Sequence, residues 1–490
     1  MSTDILFLPA LEQARLMRSG ALSPVELTRA TLAQIDRLDG QLRAWISVDA
    51  EGALAQARAA EVEIRAGRIR GPLHGLPFGV KDQMHALGLP TTLGTRVLDP
   101  EETVAPYDAH VIARLRAAGA VLIGKQNLHE FGKGGTLDFP YGQPRNPWNP
   151  EYDPSSSSSG SGIAPAAGMC SFAIGEDTGG SVRGPASCNG IAGLRPTFGR
   201  VSRHGGIMHA YTTDTFGPLG RTVGDCAAVL AAIAGHDPGD PLSSKRAVPD
   251  FLAGLDRPIR GLRLGVVTEI AHGEGTEPVV RASFDRALDV LRDQGAVIEE
   301  VSLPLSRWAV PLQLLSADAD VAAWFLNTYL RDRYDRFDKG TRTRLAASSM
   351  IPASIYNRAM RARVIVRQQV LNAFERFDAL LTPTNVTPPR RIDQSKETVS
   401  EDREDMIERL IRRRISHYPF SLANVPALSV PMGLSPEGLP LALQIAGRPF
   451  DEETVFALGQ AHERATDWAR QHPPLAQGRP GLSEGERRTA

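Results

Sequence analysis

Residues 152–196 read YDPSSSSSGSGIAPAAGMCSFAIGEDTGGSVRGPASCNGIAGLRP, a serine run followed by a small-residue segment and a glycine turn. Apolar sequence flanks the serine run on both sides, which a flexible linker does not explain. The two glycines before Ser181 permit backbone conformations that other residues resist, and they let main-chain N–H groups converge on one point. Such a nest binds an anion, either a phosphate or the oxyanion of an acyl-transfer intermediate.

The phosphate interpretation is disfavoured by the residues that follow the turn. Gly175 and Gly180 have nearly the spacing of a nucleotide-binding P-loop, but Ser181 and Val182 stand where that loop requires Lys and Ser/Thr. A Ser-His-Asp arrangement also lacks its usual signature, because no G-x-S-x-G motif surrounds Ser181. A serine nucleophile still requires a base. Lysine is the remaining candidate for this base, and only its neutral amine can accept a proton.

Lys81 is the lysine that best meets this requirement. It follows the apolar strand Phe78 to Val80, whereas most other lysines lie in polar sequence. The ammonium would be poorly solvated there, and burial favours the neutral amine. Asp82 is expected to point to the opposite side of the strand. We therefore predict that Lys81 is the base for a nucleophilic Ser181.

Composition excludes several other classes of protein. The 490 residues are 42% hydrophobic and 23% charged with a formal net charge of −1, so nothing indicates binding to nucleic acid or to an anionic membrane. Cys170, Cys188 and Cys226 are an odd number without metal-type spacing, and they are expected to be small buried residues. The N-terminus has no signal-peptide pattern, and no apolar run of membrane-spanning length occurs. We expect a cytoplasmic protein without a metal or cofactor.

The order of elements predicts an α/β protein. Residues 1–70 are predicted to form a helical layer, in which Ser23 to Glu26 has the pattern of a capping box. From Gly71 onward, helices alternate with short apolar strands, so 71–470 are predicted to be one catalytic domain, compact with the N-terminal layer. The polar residues 389–405 are predicted to be a mobile loop or lid, and 471–490 a disordered tail.

These motifs together resemble the amidase signature family of serine hydrolases. That family's signature is similar to GGSSGGS, a small-residue helix, GTDTGGSxRxPA and GxxGLKPT. The corresponding segments here are 155–161, 175–186 and 190–197, and the similarity spans residues from about 70 to 460. The resemblance implies a large central mixed β-sheet covered on both faces by helices.

The resemblance also implies a Ser-cisSer-Lys triad. The family's lysine falls on Lys81, its nucleophile on Ser181 and its cis-serine on Ser157, which would relay protons between them. The 24 residues from Ser157 to Ser181 match the family's spacing and favour Ser157 over Ser158 as the bridge. This chain departs from the family by carrying serine in place of glycine at positions 155, 156 and 159.

The resemblance also implies roles for the residues around the nucleophile. Asp177 and Arg183 are expected to form an ion pair that holds the loop, in preference to a direct role with the substrate. The oxyanion hole is expected to consist of main-chain N–H groups of Thr178, Gly179, Gly180 and Ser181.

The resemblance leaves three functions open. The favoured one is a stand-alone hydrolase that cleaves a C–N bond of a small-molecule amide, carbamate or urea-type substrate, with no nucleic acid or membrane as a direct partner. A homodimer is compatible with the sequence. The alternative is the glutaminase (A) subunit of a tRNA-dependent amidotransferase, which works with a partner chain. A catalytically dead amidase-fold scaffold is the third, although all three triad positions are filled.

Overall fold

An 11-stranded mixed sheet is the centre of the protein, for which a computed structural model describes residues 3–396 and 402–477. Its strand order is β1-β3-β2-β4-β6-β5-β10-β11-β9-β7-β8. The strands are β1 (Trp45–Val48), β2 (Pro77–Lys81), β3 (Val121–Gln126), β4 (Phe172–Asp177), β5 (Ala192–Arg195), β6 (Thr215–Gly220), β7 (Arg263–Val267), β8 (Val297–Val301), β9 (Ala379–Pro383), β10 (Ala427–Leu434) and β11 (Pro440–Gly447). The predicted α/β class with a large mixed sheet is confirmed.

Helices cover this sheet on both faces, since every residue of the central strands β2, β4 and β6 is buried. The α-helices are α1 (Ala10–Arg18), α2 (Pro24–Leu42), α3 (Ala50–Arg65), α4 (His110–Ala117), α5 (Ser159–Ala166), α6 (Arg183–Asn189), α7 (Val223–Ile233), α8 (Thr268–Ala271), α9 (Pro278–Asp293), α10 (Ser306–Phe325), α11 (Arg331–Arg333), α12 (Lys339–Ser349), α13 (Ala353–Arg376), α14 (Ile392–Lys396), α15 (Arg403–Arg412), α16 (Tyr418–Ala423) and α17 (Glu452–Thr466). Short 3₁₀ helices lie at Thr3–Phe7, Glu101–Thr103, Glu130–Gly132, Tyr334–Arg336, Trp468–Arg470 and Pro474–Gln477, and a π-helical turn at Leu326–Leu330.

Parallel pairing of β2 with β3 and with β4 determines where the chemistry lies. Phe78 pairs with Phe172 and Val80 with Ile174, so the two strands end at the same edge of the sheet. Strands that run in the same direction bring their carboxyl ends together. Lys81 ends β2, and Glu176 and Asp177 end β4. This edge of the sheet therefore collects the titratable side chains of the site.

The N-terminal layer differs from its prediction as purely helical. Ser23 does form the expected capping box with Glu26 at the start of α2. The short strand β1 lies between α2 and α3, however, and pairs antiparallel with β3 at the edge of the sheet. Its four residues are too few for a recognisable alternation, so pairing with β3 decides their conformation. The first seventy residues are thus part of the same sheet as the rest.

Two polar segments also contain more structure than predicted. Within 389–405, α14 and the start of α15 are helical, and 397–401 lie outside the described residues. Residues 471–477, assigned to a disordered tail, include a 3₁₀ helix whose Ala476 carbonyl accepts hydrogen bonds from Gln34 and Arg37 of α2, at 3.4 and 2.6 Å. These long-range contacts order a segment whose composition alone favours disorder. Residues 478–490 lie outside the described residues.

Within the described residues, no single helix is long and apolar enough to cross a membrane. One bent pair, Ser306–Phe325 with Thr328–Arg336, meets the criteria of length and composition alone.

Side chains alternate across the end of β2, as predicted for Asp82. Lys81 points toward the serine run, and Asp82 points to the other side, where its carboxylate lies 2.7 Å from the Lys125 ammonium of β3. Both members of this second pair are fully buried. Lys125 also donates to the carbonyl of Pro90 at 3.0 Å. The pair fixes β2 against β3 beside the site.

Replacing Lys125 by Met should therefore destabilise the protein by about 3–5 kcal/mol, because it leaves the Asp82 carboxylate buried without a counter-charge. Chemical denaturation measures the change. Adding Asp82→Asn should recover part of the loss by removing the uncompensated charge. A double variant no more stable than Lys125→Met would contradict this account of the pair.

Candidate active site

Lys81 lies at the centre of a buried hydrogen-bonded group. Its ammonium nitrogen donates to Ser157 Oγ at 2.8 Å and to Glu176 Oε2 at 2.9 Å. Lys81 and Glu176 are fully buried, and Ser157 is 1% exposed. The structure thus brings together the predicted base and the predicted relay serine, which are 76 residues apart in the sequence.

The surroundings of Lys81 differ from the apolar ones that the sequence predicts. β4 places the Glu176 carboxylate against the ammonium, and an adjacent opposite charge favours the charged form of a lysine. The β2 strand itself is apolar, but its parallel neighbour contributes a charge. The Lys81 side chain is therefore paired with a carboxylate as well as buried.

The serine run is an ordered loop attached to β4. Ser158 Oγ accepts the N–H of Glu176 at 3.2 Å and donates to the carbonyl of the same residue at 3.0 Å. Ser161 donates to the carbonyl of Ile174 at 3.4 Å. Ser158 is thereby engaged with the backbone of β4, and Ser157 is the serine beside Lys81.

The resemblance also implied a cis peptide bond at the relay serine. The described residues contain no cis peptide bond, so Ser157 reaches Lys81 from a trans backbone. The trans form is the more stable one for a bond without proline, by about 3 kcal/mol.

Ser181 is half-buried and follows the turn at Gly180, whose φ is 107°. This φ lies in the region that favours glycine. The Ser181 hydroxyl makes no hydrogen bond to any of the described residues.

The Asp177 carboxylate holds this turn in place. It accepts the N–H groups of Gly180 at 2.7 Å and Val182 at 3.1 Å, and it forms buried ion pairs with Arg183 at 3.0 Å and Arg195 at 3.2 Å. Burial by itself raises the pKa of Asp177, but the two guanidinium groups outweigh it and hold the pKa well below its usual range. The predicted ion pair between Asp177 and Arg183 is thus present and has a second arginine.

The hydrogen bonds of Asp177 to the turn change the predicted oxyanion hole. The N–H of Gly180 points to Asp177 and is not available to a substrate. In the described part of the chain, the N–H groups of Thr178, Gly179 and Ser181 have no acceptor. Three of the four predicted donors therefore remain available.

Two side chains of the segment that begins α16 enclose the turn. A β-carbon at position 179 would clash with the ring of Tyr418, and one at position 180 with the ring of His417. Glycine is thus required at both positions for close packing. Burial, together with the charge of Arg183, lowers the pKa of His417 to about 3, so this imidazole is neutral at ordinary pH.

Sequence reasoning missed three members of the site: Glu176, the hydroxyl of Thr178 and Asp214. The signature quoted above has threonine where this chain has Glu176, and that difference was the available signal. Asp214 lies 33 residues after Ser181 in no motif, and only the pairing of β4 with β6 brings it close. No group of three or more His, Cys, Asp or Glu in the described residues could hold a metal ion.

Comparison with known proteins identifies the family. A sequence profile of the family described as Amidase matches residues 26–456. The protein belongs to the amidase signature family. As an amidase signature enzyme, it is a hydrolase that acts on C–N bonds.

The similar proteins differ in their named activities. The glutamyl-tRNA(Gln) amidotransferase (A) subunit of Roseiflexus sp. (strain RS-1) is 41% identical over 484 residues, which cover 94% of this chain and 96% of the relative. A bacterial aryl acylamidase of the amidase signature family superposes with a TM-score of 0.87 at 27% identity, covering 97% of this amidase and 99% of the other chain. The corresponding amidotransferase chain of Thermotoga maritima superposes with a TM-score of 0.78 at 31% identity, covering 95% and 96%. Because the names of two of these proteins include a tRNA, the expectation that no nucleic acid takes part is unsupported.

The serine at position 155 provides a test of the loop. Ser155 has a φ of 77°, a left-handed conformation that costs a residue with a β-carbon about 1–2 kcal/mol. Ser155→Gly should therefore raise the free energy of unfolding, by about 1 kcal/mol after the entropic cost of glycine. Denaturation of the purified protein measures this.

Ser156→Gly is the matched control, because Ser156 is not left-handed. It should lower the free energy of unfolding by about 0.5–1 kcal/mol. An equal loss in both variants would contradict strain at Ser155.

Proposed function

We propose that this amidase hydrolyses the C–N bond of a small amide through an acyl-enzyme on Ser181. The observation that carries the proposal is the buried contact of Lys81 with Ser157, at 2.8 Å, beside the turn that presents Ser181. The N–H groups of Thr178, Gly179 and Ser181 have no acceptor among the described residues, which leaves them free to donate to an oxyanion.

The proposed reaction has two halves. Ser181 Oγ bonds to the amide carbon while Ser157 accepts the Ser181 proton and passes its own proton to the Lys81 amine. The relay then runs in reverse, Ser157 protonates the leaving nitrogen, and the C–N bond breaks. Water attacks the resulting ester with the same relay as base, the bond from carbon to Ser181 Oγ breaks, and the acid is released.

The side-chain amide of glutamine is the substrate that the relatives favour. The Roseiflexus relative, 41% identical over nearly the whole chain, is a chain of the glutamyl-tRNA(Gln) amidotransferase type. This supports a glutaminase that acts with partner chains. The sequence alone ranks this glutaminase second, whereas the relatives favour it over the stand-alone hydrolase.

Two arginines near the site have donor groups without acceptors among the described residues. These donors favour a substrate that carries a carboxylate, as glutamine does. Arg414 donates through Nε to the Tyr418 hydroxyl at 3.1 Å, while its Nη1 and the Nε of Arg413 are buried without a partner among the described residues. Burial, with Arg390 and Arg414 nearby, lowers the pKa of Arg413 to about 10. Tyr418 packs on Gly179, so this positive charge lies next to the oxyanion turn. A carboxylate would relieve both the lack of partners and the mutual repulsion.

A stand-alone amidase for small aryl or primary amides is the second candidate. The TM-score of 0.87 to the aryl acylamidase, against 0.78 to the Thermotoga maritima amidotransferase chain, favours it. So do the serines at 155, 156 and 159, which depart from the glycines of the family signature.

Ammonia release separates the two candidates. The purified amidase should release ammonia from glutamine, alone or with partner chains of the amidotransferase type, faster than from aryl amides, carbamates or ureas. Ser181→Ala should abolish turnover of every substrate, since no other group forms the acyl-enzyme. Full activity in Ser181→Ala would refute the mechanism, and preference for an aryl amide would select the second candidate.

Arg414→Met should raise the KM for glutamine at least about 10-fold, because a charge-assisted hydrogen bond of about 1.5–3 kcal/mol is lost. The KM for amides without a carboxylate should not change. Arg464→Met, which alters an exposed ion pair with Asp256, is the control and should affect neither. An equal rise for both kinds of amide would contradict recognition of a carboxylate.

A further inference from the structure

The Thr178 hydroxyl lies between two buried carboxyl groups. Its oxygen is 2.7 Å from Glu176 Oε1 and 2.7 Å from Asp214 Oδ1. A hydroxyl has one proton and can donate to only one of two carboxylates. The second contact at this distance requires a proton on the carboxyl group itself. Glu176 and Asp214 therefore hold one proton between them.

Burial agrees with a shared proton. Both carboxyl groups are fully buried, and burial raises the pKa of each. The charge of Asp214 raises the pKa of Glu176 further, although Lys81 opposes this. Two carboxylates that share a site do not both ionise readily.

The two carboxyl groups compete for the charged form. Asp214 Oδ2 accepts the N–H groups of His209 at 2.5 Å and Ala210 at 2.9 Å, which favours a carboxylate at Asp214. Glu176 Oε2 accepts from Lys81 at 2.9 Å, which favours a carboxylate at Glu176. Whichever group takes the negative charge leaves the proton to the other.

We propose that Glu176, Thr178 and Asp214 form a proton switch that sets the charge of Lys81. This inference rests on the proposed function, in which the Lys81 amine is the base. With the proton on Asp214, Glu176 is a carboxylate and holds Lys81 as an ammonium, which cannot accept a proton from Ser157. With the proton on Glu176, Lys81 faces a neutral carboxylic acid and is released as the amine.

The transfer is balanced in atoms and charge. The O–H bond of Asp214 breaks as its proton passes to Thr178 Oγ, and the original Thr178 proton forms the O–H bond of Glu176. Lys81, no longer paired with an anion, gives its surplus proton to Ser157, its other hydrogen-bond partner, which passes its own proton on to the solvent. The amine then accepts the proton of Ser157 when Ser181 attacks.

Isosteric amides should lock the switch in its two positions. In Glu176→Gln, the amide oxygen faces Lys81 and the amide nitrogen donates to Thr178, the pattern of a protonated Glu176. In Asp214→Asn, the N–H groups of His209 and Ala210 retain the amide oxygen, so the amide nitrogen faces Thr178. Thr178 must then donate to Glu176, which stays a carboxylate.

Other charged groups face the switch from the elements around it. They are His129, Lys133, Arg195, Arg203 and His209. Burial lowers the pKa of His209 to about 4 and that of Lys133 to about 8, the latter against the effect of Asp318. All five are retained in both variants. The charge of Glu176 raises the pKa of His209 and of Arg195, so Glu176→Gln lowers both, which leaves His209 neutral as before.

The test measures how fast phenylmethanesulfonyl fluoride labels Ser181 as a function of pH, followed by the intact mass of the protein. Labelling needs the base but no knowledge of the substrate. The pH at which labelling begins to rise should fall by about 1 unit in Glu176→Gln and rise by about 1 unit in Asp214→Asn. A structural role alone would lower the rate without moving the two profiles in opposite directions.

Thr178→Val is a further variant that does not depend on amide geometry. It removes the hydroxyl between the carboxyl groups, so Glu176 remains paired with Lys81 and the profile should shift to higher pH. Thr178→Ser should restore the wild-type profile. Thermal unfolding establishes that each variant is folded.

The outcomes separate this inference from the proposed function. Opposite shifts in Glu176→Gln and Asp214→Asn support the switch, as does rescue of Thr178→Val by Thr178→Ser. Shifts in the same direction, or none, overturn the switch while labelling of wild-type Ser181 leaves the proposed function standing. Absence of labelling at wild-type Ser181 overturns the proposed function and the switch with it.

Discussion

The buried carboxylate of Asp177 is the constraint on which the nucleophile turn depends. A buried charge costs several kcal/mol unless it is paired and hydrogen-bonded, and here two guanidinium groups and three main-chain N–H groups meet that need. Arg183 also donates to Gln444 of β11 at 2.7 Å. The turn is therefore held by β11, four positions from β4 in the sheet, as well as by its own residues.

Two ion pairs of opposite orientation lie at the end of β2. Lys81 meets a carboxylate from β4 on one side, and Asp82 meets an ammonium from β3 on the other. Because successive side chains of a strand alternate, one parallel arrangement satisfies both charges. The sheet thus supplies a partner for the Lys81 charge as well as a position for its side chain.

Local chemistry made part of this site predictable. A strand end and a glycine turn indicate Lys81 and Ser181, the family resemblance adds Ser157, and the structure places Lys81 beside Ser157. The apolar setting expected for Lys81 was wrong, because the charge of Glu176 arrives from a strand 95 residues away. The Gly180 N–H is not available to an oxyanion because it donates to Asp177. This bond depends on how the turn folds back onto β4, which the spacing of the motif does not encode. Strand β1 was missed for a similar reason, since pairing with β3 and not propensity makes it a strand.

The bonds of Ser158 to both main-chain groups of Glu176 have a mechanical consequence. They join the loop that carries the relay serine to the strand that carries the partner of the lysine. A displacement of β4 therefore carries Ser157 along with Glu176. Both acceptors of the Lys81 ammonium therefore depend on the position of one strand, and a change that shifts β4 disturbs the relay serine and the counter-charge at the same time.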